Sequence, residues 1–180
     1  MVLRWMYDAS EPPTDPPHWY AVAGYIGGDT PHIWTEAEWN AQSAKFRLPV
    51  YTASNRADSV DAAGVDAWNI IHALNSLGVP HGKSVAVDIE TAVYTTYLEA
   101  LDLFLGEWNL LTYGSLSTLL KCSITSGGRW TGDWTDNIET AIKLDGTEHI
   151  SALQFASAQM LGKTYDMSVI EESIPLWEAP

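Results

Sequence analysis

The residues in this sequence best suited to do chemistry are Asp88 and Glu90, which close the run Val85-Ala86-Val87-Asp88-Ile89-Glu90. Two residues apart on a strand, they project to the same face with Cα atoms about 6.5–7 Å apart. The apolar residues ahead of them imply a buried strand, so at least one carboxyl is partly desolvated beside a like charge. Both effects raise its pKa and keep a proton available near neutral pH. Glycosidic cleavage uses such a pair: one acid protonates the leaving oxygen while a negative group stabilises the oxocarbenium-like centre. Two plainer readings stand beside it. Asp88 could cap the turn with Glu90 in solvent, or the carboxylates could hold a divalent metal, although no EF-hand or histidine-ligand spacing supports one. No metal and no other cofactor is expected.

Other acids sit at strand ends. Asp8 closes Leu3–Asp8, Asp29 follows the second strand, and Asp133 lies between Trp130 and Trp134. Asp166 falls instead near the start of the last strand-like run. In a parallel barrel the C-terminal ends of the strands converge on one face, so polar residues ending apolar strands mark the site. Competing chemistries have less support. His18, His32, His72, His81 and His149 show no H-x-x-x-H spacing and read as loop or surface residues. Gly114-Ser115 is not G-x-S-x-G, and Ser115 reads as a helix cap. Cys122 is the single cysteine, which excludes an internal disulfide and leaves a structural thiol.

The elements that must position these acids alternate. Leu3–Asp8 and Tyr20–Gly27 read as strands, and Thr35–Phe46 as a helix opened by a Thr35/Glu38 capping box and a Trp34/Trp39 staple. Leu48–Ala53 is a third strand, followed by a helix that Asp58 can cap and that Gly78 and Pro80 end. Ser84–Glu90, a helix over Tyr94–Trp108 and the strand Leu110–Tyr113 come next. Beyond these lie Gly128–Trp134, Ile150–Phe155 and Tyr165–Ile170 as strands, with short helices after Ser115 and around Ile138. This order predicts an α/β fold: an abbreviated TIM-like (β/α) barrel of eight strands with few or rudimentary late helices, since complete barrels usually need about 250 residues. An open doubly wound sheet is the alternative, but no G-x-G-x-x-G or P-loop accompanies any strand-to-helix turn.

The 180 residues fit one domain over 1–180, with a 46% hydrophobic and 18% charged composition that is globular in character. No apolar run reaches the length of a membrane span. The net charge of −14, with only nine basic residues, argues against nucleic-acid binding and against anionic membranes. It would also oppose long-range steering to an anionic wall polymer, so delivery would fall to a larger assembly or a wall-binding module. Met1–Asp8 lacks the basic and apolar regions of a secretory signal, so the expectation is a chain made in the cytoplasm and acting at a bacterial wall or in a phage particle. Nine tryptophans and eight tyrosines supply both core and faces on which sugar rings stack.

Taken together, Tyr7-Asp8, Val87-Asp88-Ile89-Glu90, Tyr113-Gly114-Ser115, Trp130-Thr131-Gly132-Asp133-Trp134, Leu153-Gln154-Phe155-Ala156-Ser157 and Tyr165-Asp166 resemble the strand series of family 25 glycoside hydrolases, the lysozyme-type muramidases. They resemble still more the "glycoside hydrolase-like" domain of unknown function 1906 of actinobacterial and phage proteins. The resemblance spans nearly the whole chain and rests on order and spacing. It implies a flattened eight-stranded barrel and, by position, Glu90 as general acid and Asp88 as the group assisting the substrate N-acetyl. Asp8 and Asp166 match the acidic residues that complete the cleft, and Tyr113, Trp130, Asp133 and Gln154 match cleft-lining positions; Asp29, Tyr51 and Trp134 are further substrate-binding candidates of this sequence. Leu48–Asn55 lacks the Tyr-His-Phe pattern of true muramidases, and Gly27-Gly28-Asp29 replaces their second-strand residues. The expected ligand is a glycan, peptidoglycan or a related N-acetylated polymer. The alternative to hydrolysis is a non-catalytic carbohydrate-binding or virion-attached module on the same barrel.

Overall fold

A computed structural model describes residues 2–14, 18–53, 57–89, 95–132, 150–160 and 163–178. Strand and helix alternate as far as the fifth strand: β1 Leu3–Asp8, β2 Ala21–Gly28, α1 Glu36–Asn40, β3 Phe46–Thr52, α2 Val60–Ser76, β4 Ser84–Asp88, α3 Thr95–Phe104 and β5 Asn109–Ser115. After them come α4 Leu116–Leu119, β6 Gly128–Gly132, β7 Ile150–Met160, β8 Lys163–Glu171 and the short β9 Trp177–Glu178. The first eight strands run in sequence order around a closed barrel, because β8 returns to β1 and β2 also pairs with β3.

The barrel is mixed. Strands β1 to β7 are parallel to one another, whereas β8 is antiparallel to both β7 and β1. Strands β7 and β8 form a hairpin, the antiparallel connection that needs no crossover helix. This departs from an all-parallel sheet, and it decides where the last acidic residue sits.

Alternation along the strands sorts the side chains into two cores. The outward residues Tyr7, Val22, Tyr51, Val85, Val87 and Leu110 pack beneath α2 and α3, which contribute Ala63, Ile70, Leu74, Leu98 and Leu101. The inward residues Met6, Ala21, Ala23, Leu48, Val50, Ala86, Leu111, Trp130, Ala152 and Ile170 fill the barrel. Its base is closed by Leu176 and by β9, which pairs antiparallel with the start of β3 and lays the Trp177 ring against the Arg47 guanidinium at 4.9 Å. The opposite end is therefore the open one.

Local signals set the helices. The Thr35/Glu38 capping box is formed, and Trp34 meets Trp39 with ring centroids 4.9 Å apart. That helix is shorter than its periodicity predicts, because Phe46 is taken into β3, where it faces Glu178 of β9. Helix α2 starts at Ser59 rather than Asp58, with the Ser59 hydroxyl accepting from the Ala62 amide at 3.1 Å. Gly78, at φ 69°, turns the chain out of it. Ser115 caps α4. The expected helix around Ile138 lies outside the described residues. No described helix is long and apolar enough to cross a membrane.

Candidate functional site

Three carboxylates meet at the open end of the barrel. Asp8 is the last residue of β1 and follows Met6 on the inward face; Asp88 is the last of β4 and follows Ala86. Asp166 belongs to β8, where Ile170 and Ser168 lie below it on the same face. The sequence sets Asp166 near the start of its strand, which in a parallel sheet would place it at the closed end. Because β8 runs the other way, its start lies level with the ends of the others, and Asp166 is the direct partner of Asp8.

The electrostatics follow from that convergence. Asp8 is 6% exposed, and its Oδ2 has no hydrogen-bond partner among the described residues. Burial, then Asp166, then Asp88, hold its carboxyl well above the usual carboxylate range. Asp166 is half-buried and also raised by burial, with a hydrogen bond from Gln154 pulling in the opposite direction. Asp8 thus holds a proton at pH values where an exposed aspartate has released it.

Around the acids lie residues of two kinds. Tyr113 of β5 sits in register with Asp88, and its ring rests 4.7 Å from that of Trp130. Trp130 itself is only 2% exposed and donates its indole N–H to Ser168 at 3.2 Å, so it forms the floor beneath Tyr113. Gln154 is buried in the wall beside Asp166. Asp29 is exposed on the rim, its amide donating to the Thr52 carbonyl at 3.0 Å.

Tyr51 goes elsewhere. It lies on the outward face of β3, 2% exposed, and its hydroxyl donates to Asp66 of α2 at 2.7 Å. It supports the helix layer and does not line the open end, contrary to the expectation for a substrate-binding position. Glu90, Asp133 and Trp134 lie outside the described residues.

Two residues of the site have no counterpart in the sequence reading. Thr52 shares the register of Asp88 and the inward face of Val50. Tyr25 follows Ala21 and Ala23 up the inward face of β2 to the acids. Burial, then Asp8, Asp88, Tyr113 and Asp166, push its phenol far above the ordinary value. The cue was available: two small inward residues beneath a tyrosine leave its ring room to lean into the barrel. Among the described residues no group of three or more His, Cys, Asp or Glu side chains is arranged to hold a metal ion.

No family model matches the sequence, and no curated protein matches it. Solved structures do. The Tat-secreted protein Rv2525c of Mycobacterium tuberculosis, in complex with L-tartrate, superposes with TM-score 0.72 at 12% identity over 98% of this chain and 100% of that one. GHIP, a glycosyl hydrolase 25 of Streptococcus pneumoniae, gives TM-score 0.62 at 14% identity over 84% of this chain and 76% of that one. The modular autolysin LytC of Streptococcus pneumoniae, in complex with a synthetic peptidoglycan ligand, gives 0.66 at 16% over 94% of this chain and 47% of that one. At these identities the likeness establishes the fold alone, a closed eight-stranded mixed α/β barrel with few helices.

Proposed function

We propose that the protein is a glycoside hydrolase that cleaves peptidoglycan or a related N-acetylated glycan by substrate-assisted general acid catalysis. The observation that carries this reading is the meeting of Asp8, Asp88 and Asp166 at the open end of a barrel of the glycoside hydrolase type. Three converging carboxyls are costly to fold, so their placement argues for use.

In this reading Glu90, two residues beyond Asp88, protonates the glycosidic oxygen. Asp88 accepts a hydrogen bond from the acetamido N–H and so aims the acetyl oxygen at the anomeric carbon, where positive charge develops as the bond to the leaving oxygen breaks. Water then opens the cyclic intermediate and returns the proton to Glu90. Asp8, held protonated by its surroundings, adds no charge to the wall it shares with Asp166. The Tyr113 ring on its Trp130 floor offers an apolar face to a sugar. Asp29, Asp133, Trp134 and Gln154 complete the binding surface. The protein acts at the bacterial wall, free or on a phage particle, and a similar barrel occurs in LytC, an autolysin whose structure holds a synthetic peptidoglycan ligand.

The test is Glu90→Gln against purified cell walls. Release of reducing ends should fall at least about a hundredfold, the loss typical of a general acid, while glycan binding and Tm are kept. Full activity in the variant would remove Glu90 from the acid role. Binding without release by either protein would instead identify a non-catalytic carbohydrate-binding module.

A further inference from the structure

Helix α2 buries Ala63, Ala67, Ile70 and Leu74 and leaves other apolar residues in solvent. Val60, Val65 and Trp68, with Phe104 at the end of α3, are between 45 and 62% exposed and wall a concavity of about 460 Å³ together with Gly64 and Asp61. Trp68 is the most exposed of them. Its ring centroid lies 4.0 Å from that of His72 one turn on, which limits the freedom of the indole. A projecting ring and a hollow thus share one face. Contiguous exposed apolar side chains of this kind mark an interaction surface.

Gly64 shows how close the occupant comes. A Cβ there would find only the Phe104 ring within 4 Å, at 3.8 Å, an ordinary van der Waals distance. No described residue requires a glycine at this point, and glycine inside a helix is a poorer choice than alanine. The missing side chain therefore serves a body outside the chain, one whose backbone lies against α2. Charge selects that body. Helices α2 and α3 carry no Lys or Arg, so the face has nothing to hold an anionic membrane or an acidic partner. Glu99 and Asp102 of α3 are engaged by Ser123 and Ser126, each at 2.6 Å, which leaves Asp61 as the one carboxylate of the hollow and little to hold a basic partner. At a net charge of −14, two copies of this chain repel over most of their surface. This nearly neutral face is where they can meet.

We propose that this face is a homodimer interface, in which a second copy lays its own α2 antiparallel across Gly64 about a two-fold axis. Val60 and Trp68 each lie four residues from Gly64. An axis through Gly64 therefore sets Trp68 of one copy into the hollow beside Val60 of the other, and the exchange is reciprocal. The indole N–H then meets the Asp61 carboxylate of the second copy, so the one charge of the hollow gains a donor. A standard interface takes about 800 Å² from each partner. Helix α2, with 17 residues and so about 25 Å long, has the length to supply it with the flank of α3. The interface lies on the helix layer, outside the barrel that holds Asp8, Asp88 and Asp166, and does not depend on the glycan reading.

The experiment is sedimentation equilibrium of the full chain over a concentration series in the micromolar range. The wild type should pass from the mass of one chain to that of two. Trp68→Lys changes an exposed position and keeps the fold. It should weaken self-association at least about thirtyfold, the loss that follows truncation of a central interface tryptophan. Gly64→Ala should weaken it too. In the Trp68→Lys background the same alanine should leave Tm equal or higher, which separates packing between copies from packing within one chain. A chain that stays single throughout the series overturns the proposal, as does self-association that survives both variants. Binding of single chains to neutral phosphatidylcholine vesicles, abolished by Trp68→Lys, would give the face to lipid and overturn it as well.

Discussion

Asp8 and Asp166 stand opposite one another, Cα against Cα, across the antiparallel β1–β8 pair that closes the barrel. Directly opposed residues have Cβ atoms about 5 Å apart, and like charges placed so are destabilising. Burial, Asp166 and Asp88 all raise the Asp8 pKa above its ordinary 3.8. The folded chain therefore keeps a proton that the unfolded chain releases. The stability tied to Asp8 is whole below about pH 4 and drains away as pH climbs through the raised value.

Asp8→Asn removes that drain, since an amide has no proton to lose. The variant should melt with the wild type at pH 4 and above it at pH 8. A higher Tm than the wild type at pH 8, with the gap closing toward pH 4, is expected, since the raised Asp8 pKa has that sign. Scanning calorimetry across that pH range checks it. A variant less stable at pH 8, or a difference independent of pH, would contradict the electrostatic account.

The Tyr51 result gives a prediction about stability alone. Asp66 is 1% exposed and accepts from both Tyr51 at 2.7 Å and Tyr97 at 2.8 Å, joining β3, α2 and α3. Asp66→Ala removes the acceptor that two buried hydroxyls share, each lost bond costing about 1–3 kcal/mol. A fall in Tm of about 5–15 °C follows, with glycan affinity in the folded fraction unchanged, because the triad lies outside the barrel. Loss of affinity without loss of Tm would return Tyr51 to the ligand surface.

Much of this fold was legible, and the exceptions have physical causes. The run ending in Asp8, the Thr35/Glu38 box and the Ser115 cap are local signals, and local signals survive packing. Strand direction is not local: Tyr165–Ile170 alternates identically read either way. What could have revealed β8 was the stretch between Phe155 and Tyr165, too short for a crossover helix. Tyr51 was misassigned for want of parity, since Val50 and Thr52 take the inward face. Tyr25 was missed because an aromatic in a strand reads first as core. The expectations for Glu90, Asp133 and Trp134 fall outside the described residues.

Gly114 is where packing and site are coupled. A Cβ there would lie 2.6 Å from the carbonyl oxygen of Ile89, the residue after Asp88. Ile89 donates its amide to the Tyr113 carbonyl at 2.9 Å, so β4 and β5 are held close at the level of the acids. Gly114→Ala must push Ile89 outward and turn Asp88 with it. Overpacking of this kind costs about 1–3 kcal/mol. Both a lower Tm and a weakened affinity for an N-acetylglucosamine oligomer are expected. Equal Tm and affinity would show that the strands part freely.

The last prediction concerns Tyr25, whose hydroxyl lies among Asp8, Asp88, Tyr113 and Asp166. A phenol held protonated beside carboxyls keeps its O–H as a donor for a bound sugar. It also closes one side of the bowl. Tyr25→Phe keeps the ring and its packing against the inward alanines but deletes that donor. Hydrogen bonds to charged groups are worth about 1.5–3 kcal/mol, roughly ten- to a hundredfold in binding. Glycan affinity should fall by about that factor, with Tm within about 4 °C of the wild type because the aromatic body stays buried. Tyr7→Phe is the control: Tyr7 is also buried in β1, but on the outward face, where its hydroxyl donates to Gln42 at 3.0 Å. It should lower Tm and leave affinity alone. If the two variants weaken binding equally, the effect of Tyr25 is one of barrel stability, and the phenol has no part in the site.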